Sequence, residues 1–541
     1  MRDSCHQENV QICALTVDFK ELAGPTESVS IFILCRYLKH SKLDPASTIS
    51  IDPLASEQFQ SCLSTNHSNS IFKNPKNLTN NTPDSLIYTD FSHSSSTDSS
   101  FLNLNFTTLK PILIVKPKLE SEIKRSILCS RKLGVQVRTK SGGHDYEGLS
   151  YLSQSPFIII DLINLRSINI NLTDETAWIQ SGATIGELYY KIAKISKIHG
   201  FPAGTCPSVG VGGHFSGGGF GTLMRRHGLA ADNVVDARLM DANGVIRDRI
   251  AMGEDVFWAL RGGGAASFGV VLSWKVKLVR APEKVTCFLS QHTMKPEMTK
   301  LVHRWQYVGS EVDEDLFIRV IIDNTQEGNP RRVKSTFQAL FLGGIDRLIP
   351  LMNQKFPELG LRSEDCKEMS WIESVMFFNW KLGQPLESLL DRQQRYEDLY
   401  YKAKSDFVQT PLPENVFEEI SKRFLEKETP LMILEPLDGK MSEISETESP
   451  FPHRKGNLYN IQYMVKWKVN EVEEMNKNVR WMRSLYDYMS PYGSASPRGG
   501  YLNYRDLDLG TNKGINTSFE DTRKWGERYF KGNFKRLIRF G

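Results

Sequence analysis

The chain has 541 residues, of which 40% are hydrophobic and 24% charged, with a formal net charge of +4. This length admits about two to four domains with large cores. Near-neutrality gives no electrostatic reason to expect nucleic acid or an anionic membrane as partner, and no apolar run approaches the roughly 20 residues that span a bilayer.

In chain order, residues 1–54 show no sustained periodicity and form an unassigned leader. Its VSIFILC run (29–35) is short and too far from Met1 for a signal peptide. Six Asn-x-Ser/Thr sequons occur, at Asn66, Asn77, Asn80, Asn105, Asn171 and Asn516. Four cluster in a polar stretch, which favours a secretory history and a glycoprotein. Residues 64–105, rich in Ser, Asn and Thr, read as an exposed connection. From about 109 the texture changes. KPILIVKP (110–117) predicts a strand, LESEIKRSILCSRKLG (119–134) a helix closed by glycine, and VQVRTK (135–140) a second strand. SGGHDYEG is a glycine-containing loop, FIIIDLINL (157–165) an apolar strand and TIGELYYKIAKIS (184–196) a helix. This rhythm indicates an α/β unit whose loops hold a ligand. VVDARLMDANGVI (234–246) predicts a hairpin around Asn243-Gly244, and RGGGAASFG leads into the strand VVLSWKVKLV (270–279). Beyond Pro282 glycine thins, and LFIRVIID (316–323) and NLYNIQYMVKW (457–467) predict strands of a second domain. The expected boundaries are 55–281, 282–475 and a tail, 476–541, that returns to the first domain.

The eight cysteines are too sparse for a disulfide scaffold and include no CxxC pair, so no metal site is expected, although one or two disulfides remain compatible. The densest glycine run is GTCPSVGVGGHFSGGGFG (204–221), with a thiol, Cys206, at its mouth. Glycine loops serve phosphates because bare backbone can turn sharply and aim N–H groups at an anion. The common nucleotide patterns fail here. No P-loop is present, and GVGGHF (210–215) has Phe215 where a dinucleotide fingerprint needs glycine. Taken singly, His144 in the SGGHDYEG loop reads as a hydrogen-bonded or surface histidine, and Cys206 as a small hydrophobe. In NLYNIQYMVKW the apolar residues alternate with Asn460, Gln462 and Lys466. That pattern describes either a half-solvated strand or a polar face lining a site.

Five separated segments change those odds. SGGHDYEGLSY, PSVGVGGHFSGGGFGTLMRRHGLAADNVVDARLMDANG, GEDVFWALRGGGAASFGVV, PFPHRKG and YLNYRDLDLG resemble the plant berberine bridge enzyme-like flavoproteins, which include cannabinoid acid synthases, monolignol oxidases and oligosaccharide oxidases. The resemblance runs from Phe59 to Leu537. It implies an α+β protein: a vanillyl-alcohol-oxidase-type (PCMH-type) FAD-binding domain plus an α/β substrate domain with an antiparallel sheet. It also implies a bicovalent FAD, bonded at its 8α-methyl by His144 and at C6 by Cys206. Ser141, Gly142, Gly143 and Asp145 would cradle the pyrophosphate, with Ser150, Gly210, His214 and Asn503 as further contacts. Cys62 and Cys129 match the family's disulfide.

On the substrate side, Gln462 and Asn460 align with catalytic or orienting positions. The family draws its general base from the YLNYRDLDLG segment or from a Glu on the facing strand. Tyr504 is the expected base and Tyr501 its alternate, provided that positive charge such as Arg505 or Lys466 lowers the phenol pKa. Val209 occupies the family's oxygen-gating position, and its small side chain implies an oxidase that passes electrons to O2 and releases hydrogen peroxide. Phe220 replaces a tyrosine that many members place beside the substrate. The chain also stops at RLIRFG, short of the family's usual end, and the leader is not the usual signal peptide; altered gene ends would account for both. The expectation is a secreted, monomeric oxidase of a small alcohol, phenolic, alkaloid or sugar. An oxidative cyclase of specialised metabolism and a catalytically weak storage or defence flavoprotein are the alternatives.

Overall fold

The computed structural model describes residues 53–64, 111–153, 155–293, 296–325, 331–392, 399–468, 471–512 and 517–539. Residues 1–52 of the leader and the sequons at Asn66, Asn77, Asn80, Asn105 and Asn516 lie outside the described residues. Asn171 is exposed at a strand end. Among the described residues no helix is long and apolar enough to cross a membrane.

Three short parallel strands come first: β1 (Leu113–Val115), β2 (Gln136–Lys140) and β3 (Phe157–Asp161), in the order β1-β3-β2. The helix between β1 and β2, Glu120–Leu133, begins where Glu122 accepts the Lys118 and Leu119 N–H groups at 2.7 and 3.0 Å. It ends at Gly134, whose φ of 73° is left-handed. Its Cys129 forms the disulfide with Cys62 of the helix Pro53–Ser64, as the resemblance implied. The apolar run at 157–165 is not one strand. Asp161 accepts the Ile163 N–H at 3.2 Å and caps a 3-10 turn over Leu162–Asn164.

A five-stranded antiparallel sheet follows, in the order β4-β5-β9-β7-β8: β4 (Ile168–Asn171), β5 (Thr176–Gln180), β7 (Val234–Met240), β8 (Ile246–Arg247) and β9 (Val270–Lys277). The two-residue strands β6 (His199–Gly200) and β10 (Val279–Arg280) pair beside it. The helix Ile185–Ile195 starts on a capping box, with Thr184 and Glu187 each accepting the other's N–H at 3.2 and 2.8 Å.

The largest sheet has seven antiparallel strands: β11 (Val285–Thr293), β12 (Leu316–Asn324), β13 (Val333–Phe341), β14 (Cys366–Met369), β15 (Tyr400–Val408), β16 (Thr429–Pro436) and β17 (Tyr459–Trp467). Their order is β14-β11-β13-β12-β16-β17-β15. Side chains alternate between its faces. Val320, Ile322, Phe337, Leu434, Tyr459, Ile461 and Tyr463 pack against the helices Pro296–Val308, Glu414–Phe424 and Val472–Tyr488. Burying each such side chain is worth about 1.5–3 kcal/mol. On the opposite face, Phe317, Leu340 and Phe407 join the core of the preceding unit, with Phe220, Met224 and Tyr501. The sheet is therefore sandwiched, and its polar residues on that second face lie between the two units.

Candidate active site

The two glycine loops press backbone to backbone. A Cβ on Gly142 would meet the Gly210 nitrogen at 2.2 Å, and one on Gly210 would meet the Gly142 nitrogen at 2.1 Å. Ser141 Oγ ties the loops further by donating to the Ser181 carbonyl and accepting the Gly212 N–H at 3.3 Å. Close approach to protein, as much as to ligand, therefore demands glycine here. Gly213 differs: a Cβ there would meet nothing within 4 Å. The expected loop at 211–216 is a short helix, Val211–Ser216, with Gly210 at its N-cap.

His144 sits in the first loop with its Nε2 buried and unpartnered. Burial drives its pKa down to about 4, opposed by a hydrogen bond to the Ser208 backbone, so the imidazole is neutral at physiological pH. Cys206 is exposed at the mouth of the second loop. His214, also lowered to about 4 by burial and then by His144, accepts the Gly204 N–H at 3.0 Å. Asn503 Nδ2 donates to the His214 carbonyl at 3.0 Å and to the Tyr501 hydroxyl at 2.9 Å. Asp145 accepts the N–H groups of Glu147 and Leu149 at 3.0 and 2.9 Å and so shapes its own loop. Ser150 lies in the adjoining turn, and Gly143 has a φ of 76°. Val209 is half-buried against the core of this unit.

Across from these loops, the strand register assembles a polar row. Gln338 of β13 pairs with Arg319 of β12, and Glu435 of β16 pairs with Asn460 of β17. Arg319 Nη1 stands 3.9 Å from Glu435 Oε1, which joins the two pairs. Arg319 also donates to Gln338 Oε1 from Nε and Nη2, at 3.0 and 2.7 Å. Glu435 Oε2, Asn460 Oδ1 and Gln338 Nε2 are buried without partners. Gln462, two residues along β17 on the same face, donates to the Tyr146 hydroxyl. The half-solvated alternative for this strand is thereby excluded: Asn460 is 0% and Gln462 8% exposed.

Aromatic rings close the space. Tyr146 stacks on Tyr504 at 5.4 Å and 13°, and Phe220 stacks on Tyr501 at 4.1 Å and 15°. Burial first, then Glu435, holds the Tyr504 phenol well above its ordinary pKa, and Arg319 only partly opposes this. Tyr501 is likewise raised by burial, and its hydroxyl is held by the Gly219 N–H at 2.8 Å. Arg505 lies over the Tyr529 ring, with 5.7 Å to its centroid. Neither phenol is lowered by its surroundings, as the expected base role requires. Glu435 carries the complementary shift. Burial raises its pKa, while Arg319 and the Tyr504 hydroxyl moderate the rise. The sequence alone marks neither the facing-strand glutamate nor Tyr146 and Arg319. The available signal was Glu435's phase in TPLMILEP, where it alternates with residues packed against the helices.

Comparison with known proteins agrees with this geometry. The family model for an FAD binding domain matches residues 111–248, and that for berberine and berberine-like proteins matches 500–539. Berberine bridge enzyme-like 22 of Arabidopsis thaliana is 81% identical over 481 residues, covering 89% of this chain and 91% of the relative. Tetrahydroberberine oxidase of Berberis wilsoniae is 46% identical over 507 residues, covering 92% and 93%. The solved structure of BBE-like #28 from Arabidopsis thaliana superposes with a TM-score of 0.81 at 46% identity, covering 90% of this chain and 96% of that one. The fold is thus the α+β architecture expected, with an FAD-binding unit and an antiparallel sheet. The chain belongs to the berberine bridge enzyme-like family, FAD-linked oxidoreductases that oxidise small organic substrates.

Proposed function

We propose that this chain is an oxidase with doubly tethered FAD that acts on a small polar substrate bearing an oxidisable hydroxyl. The observation that carries the substrate reading is the pair of buried acceptors without partners, Glu435 Oε2 and Asn460 Oδ1, on adjacent strands. A buried acceptor left unpaired is unfavourable by about 1–3 kcal/mol, and a hydroxyl donor relieves it. The tether reading rests on His144, whose orphaned Nε2 belongs to a neutral and therefore nucleophilic ring, and on the exposed thiol of Cys206. Ser141, Gly142, Gly143, Asp145, Ser150, Gly210, His214 and Asn503 hold the rest of the cofactor, and the space at Gly213 receives part of it.

When bound, the flavin supplies a two-electron acceptor that O2 regenerates, with hydrogen peroxide as product. Glu435 takes the substrate hydroxyl proton; its raised pKa brings it toward the range in which a carboxylate is an effective general base. Tyr504 keeps its own proton and donates to that carboxylate. Asn460 and the Gln462–Tyr146 pair orient the hydroxyl. Val209 leaves room for O2. The chain works as a secreted monomeric glycoprotein in this reading, supported by the exposed Asn171 sequon and the disulfide.

A second reading, an oxidative cyclase of a phenolic or alkaloid, is favoured by the stacked wall of Tyr146 and Tyr504. Two measurements separate these readings. After acid denaturation, flavin colour should stay on the polypeptide, and His144→Ala and Cys206→Ala should each leave one bond; release of all flavin from the parent protein would remove the tether reading. Anaerobic mixing with polyols and sugars should bleach the flavin. Bleaching by phenolics or alkaloid amines alone, with ring-closed products, would favour the cyclase.

A further inference from the structure

The residues that line the cleft are followed in the chain by charged residues that turn away from it. Glu147 follows Tyr146, Lys402 follows Tyr401, and Asp506 lies two residues after Tyr504. Tyr401 meets Tyr146 edge to face at 5.7 Å. Consecutive residues of β15 point to opposite faces, so Lys402 and Lys404 leave on the helix side, where Lys404 Nζ lies 4.6 Å from the centre of the Tyr486 ring. β15 is the outer strand of the seven-stranded sheet. The first glycine loop wraps this outer edge, with Tyr146 on the side of Tyr401 and Glu147 on the side of Lys402.

There, three carboxylates and three cations form one connected cluster: Glu147, Asp506 and Asp508 with Lys402, Lys404 and Arg483. Lys402 Nζ donates to Glu147 Oε1 and, at 2.9 Å, to Asp506 Oδ1. Lys404 Nζ donates to Asp506 Oδ2 at 2.7 Å, and Arg483 holds Asp508 in a two-point pair at 2.6 and 3.0 Å. Glu147 Oε1 also accepts the Leu507 N–H at 3.2 Å. One carboxylate thus joins the glycine loop, the edge strand and the C-terminal segment. Glu147, Lys404 and Asp506 are 7%, 1% and 2% exposed. Burial alone would discharge Lys402, but Glu147, Asp506 and Asp508 together keep it charged.

We infer that this cluster is a clamp, with Glu147 as its positioning residue, and that it sets the stacked Tyr146–Tyr504 pair in the active site from behind the sheet edge. Its role in catalysis rests on the proposed site; its role in fixing the rings does not. A buried ion network is weak evidence for stability, whereas displacing a positioning group by about 1 Å can lower a rate about 100-fold.

The test uses the flavin-loaded full chain and a substrate that bleaches it. Glu147→Gln and Lys402→Met should each lower kcat at least tenfold with KM changed less than threefold, and Lys402→Arg should recover most of the rate. Nitration by tetranitromethane, mapped by mass spectrometry, should rise at least fivefold at Tyr146 in both charge-removing variants and stay level at Tyr492. In a Tyr146→Phe background, Glu147→Gln should lower kcat no more than twofold further. Parental nitration of Tyr146 in both variants, or full multiplication of the two kcat effects, would overturn the clamp. Should Glu147→Gln fail to fold, Glu147→Gln/Lys402→Met removes both buried charges together and is read the same way. If Tyr146→Phe leaves kcat and KM unchanged while nitration still responds to Glu147→Gln, the clamp stands and the site reading falls.

Discussion

At the scale of single residues, Glu435 concentrates the chemistry. Burial favours its protonated form, and the catalytic form in the proposed mechanism is the carboxylate. Activity should therefore fall as pH drops through a pKa above the usual carboxylate range, and kcat/KM should show an acid limb displaced upward accordingly. Glu435→Gln should abolish that limb and lower kcat by about 10²–10⁴-fold; an unchanged pH–rate profile would remove Glu435 as base. Tyr504→Phe should act more mildly, because a raised phenol donates a hydrogen bond and surrenders no proton. Val209→Leu should slow flavin reoxidation by O2 in stopped-flow while leaving anaerobic reduction by substrate unaltered. Phe220, 4% exposed and stacked on Tyr501, is a packing residue.

At the scale of elements, two contacts set the site. The first is the register of β16 against β17, which puts Glu435 opposite Asn460; slipping β16 by one residue would turn Glu435 to the helix face and away from Asn460. Asn460→Leu keeps the strand but removes the acceptor, so KM for a hydroxyl substrate should rise about tenfold, as expected for one lost hydrogen bond of about 1–1.5 kcal/mol. The second is the loop-on-loop contact at Gly142 and Gly210. Gly142→Ala places a methyl within 2.2 Å of backbone, where no flexible side chain can yield. The loops must separate, and the purified variant should carry much less flavin per polypeptide by absorbance while its seven-stranded sheet still folds.

At the scale of the whole molecule, one side chain fastens the two units. Arg225 is 1% exposed. Its guanidinium donates to the carbonyls of Leu437, Ser310 and Val312 at 3.2, 3.0 and 2.7 Å, and to those of Asp313 and Leu316. Arg454 and Asp232 add a buried pair between the same units, at 2.6 Å. Arg225→Met strands several buried carbonyls, so chemical denaturation should show a loss of about 3–5 kcal/mol, and the two units should lose cooperativity. The Cys62–Cys129 bridge closes a separation of 67 residues, and its removal should lower stability by about 4 kcal/mol on the loop-entropy argument. Both losses are measurable as shifts in the thermal midpoint.

By itself the sequence determined the local elements. A period-3.6 pattern closed by glycine marked the helix at 120–133 and a second such pattern the helix at 185–195, alternation marked β12 and β17, and five separated motifs marked the family and its flavin-binding loops. These signals are short in range, written in neighbouring residues, and readable in one chain. The setting of the proposed base was not readable, because a pKa belongs to an environment. Folding buries Tyr504 beside Glu435, which is 69 positions earlier in the chain and on β16, and that burial raises the phenol instead of lowering it. Burial of both faces of β17 was likewise hidden, since a polar alternation reads the same whether water or another domain covers it. Only the sandwiching of the sheet between its helices and the glycine loops removes the water, and that removal gives Glu435, Asn460 and Gln462 the buried setting on which the proposed mechanism rests.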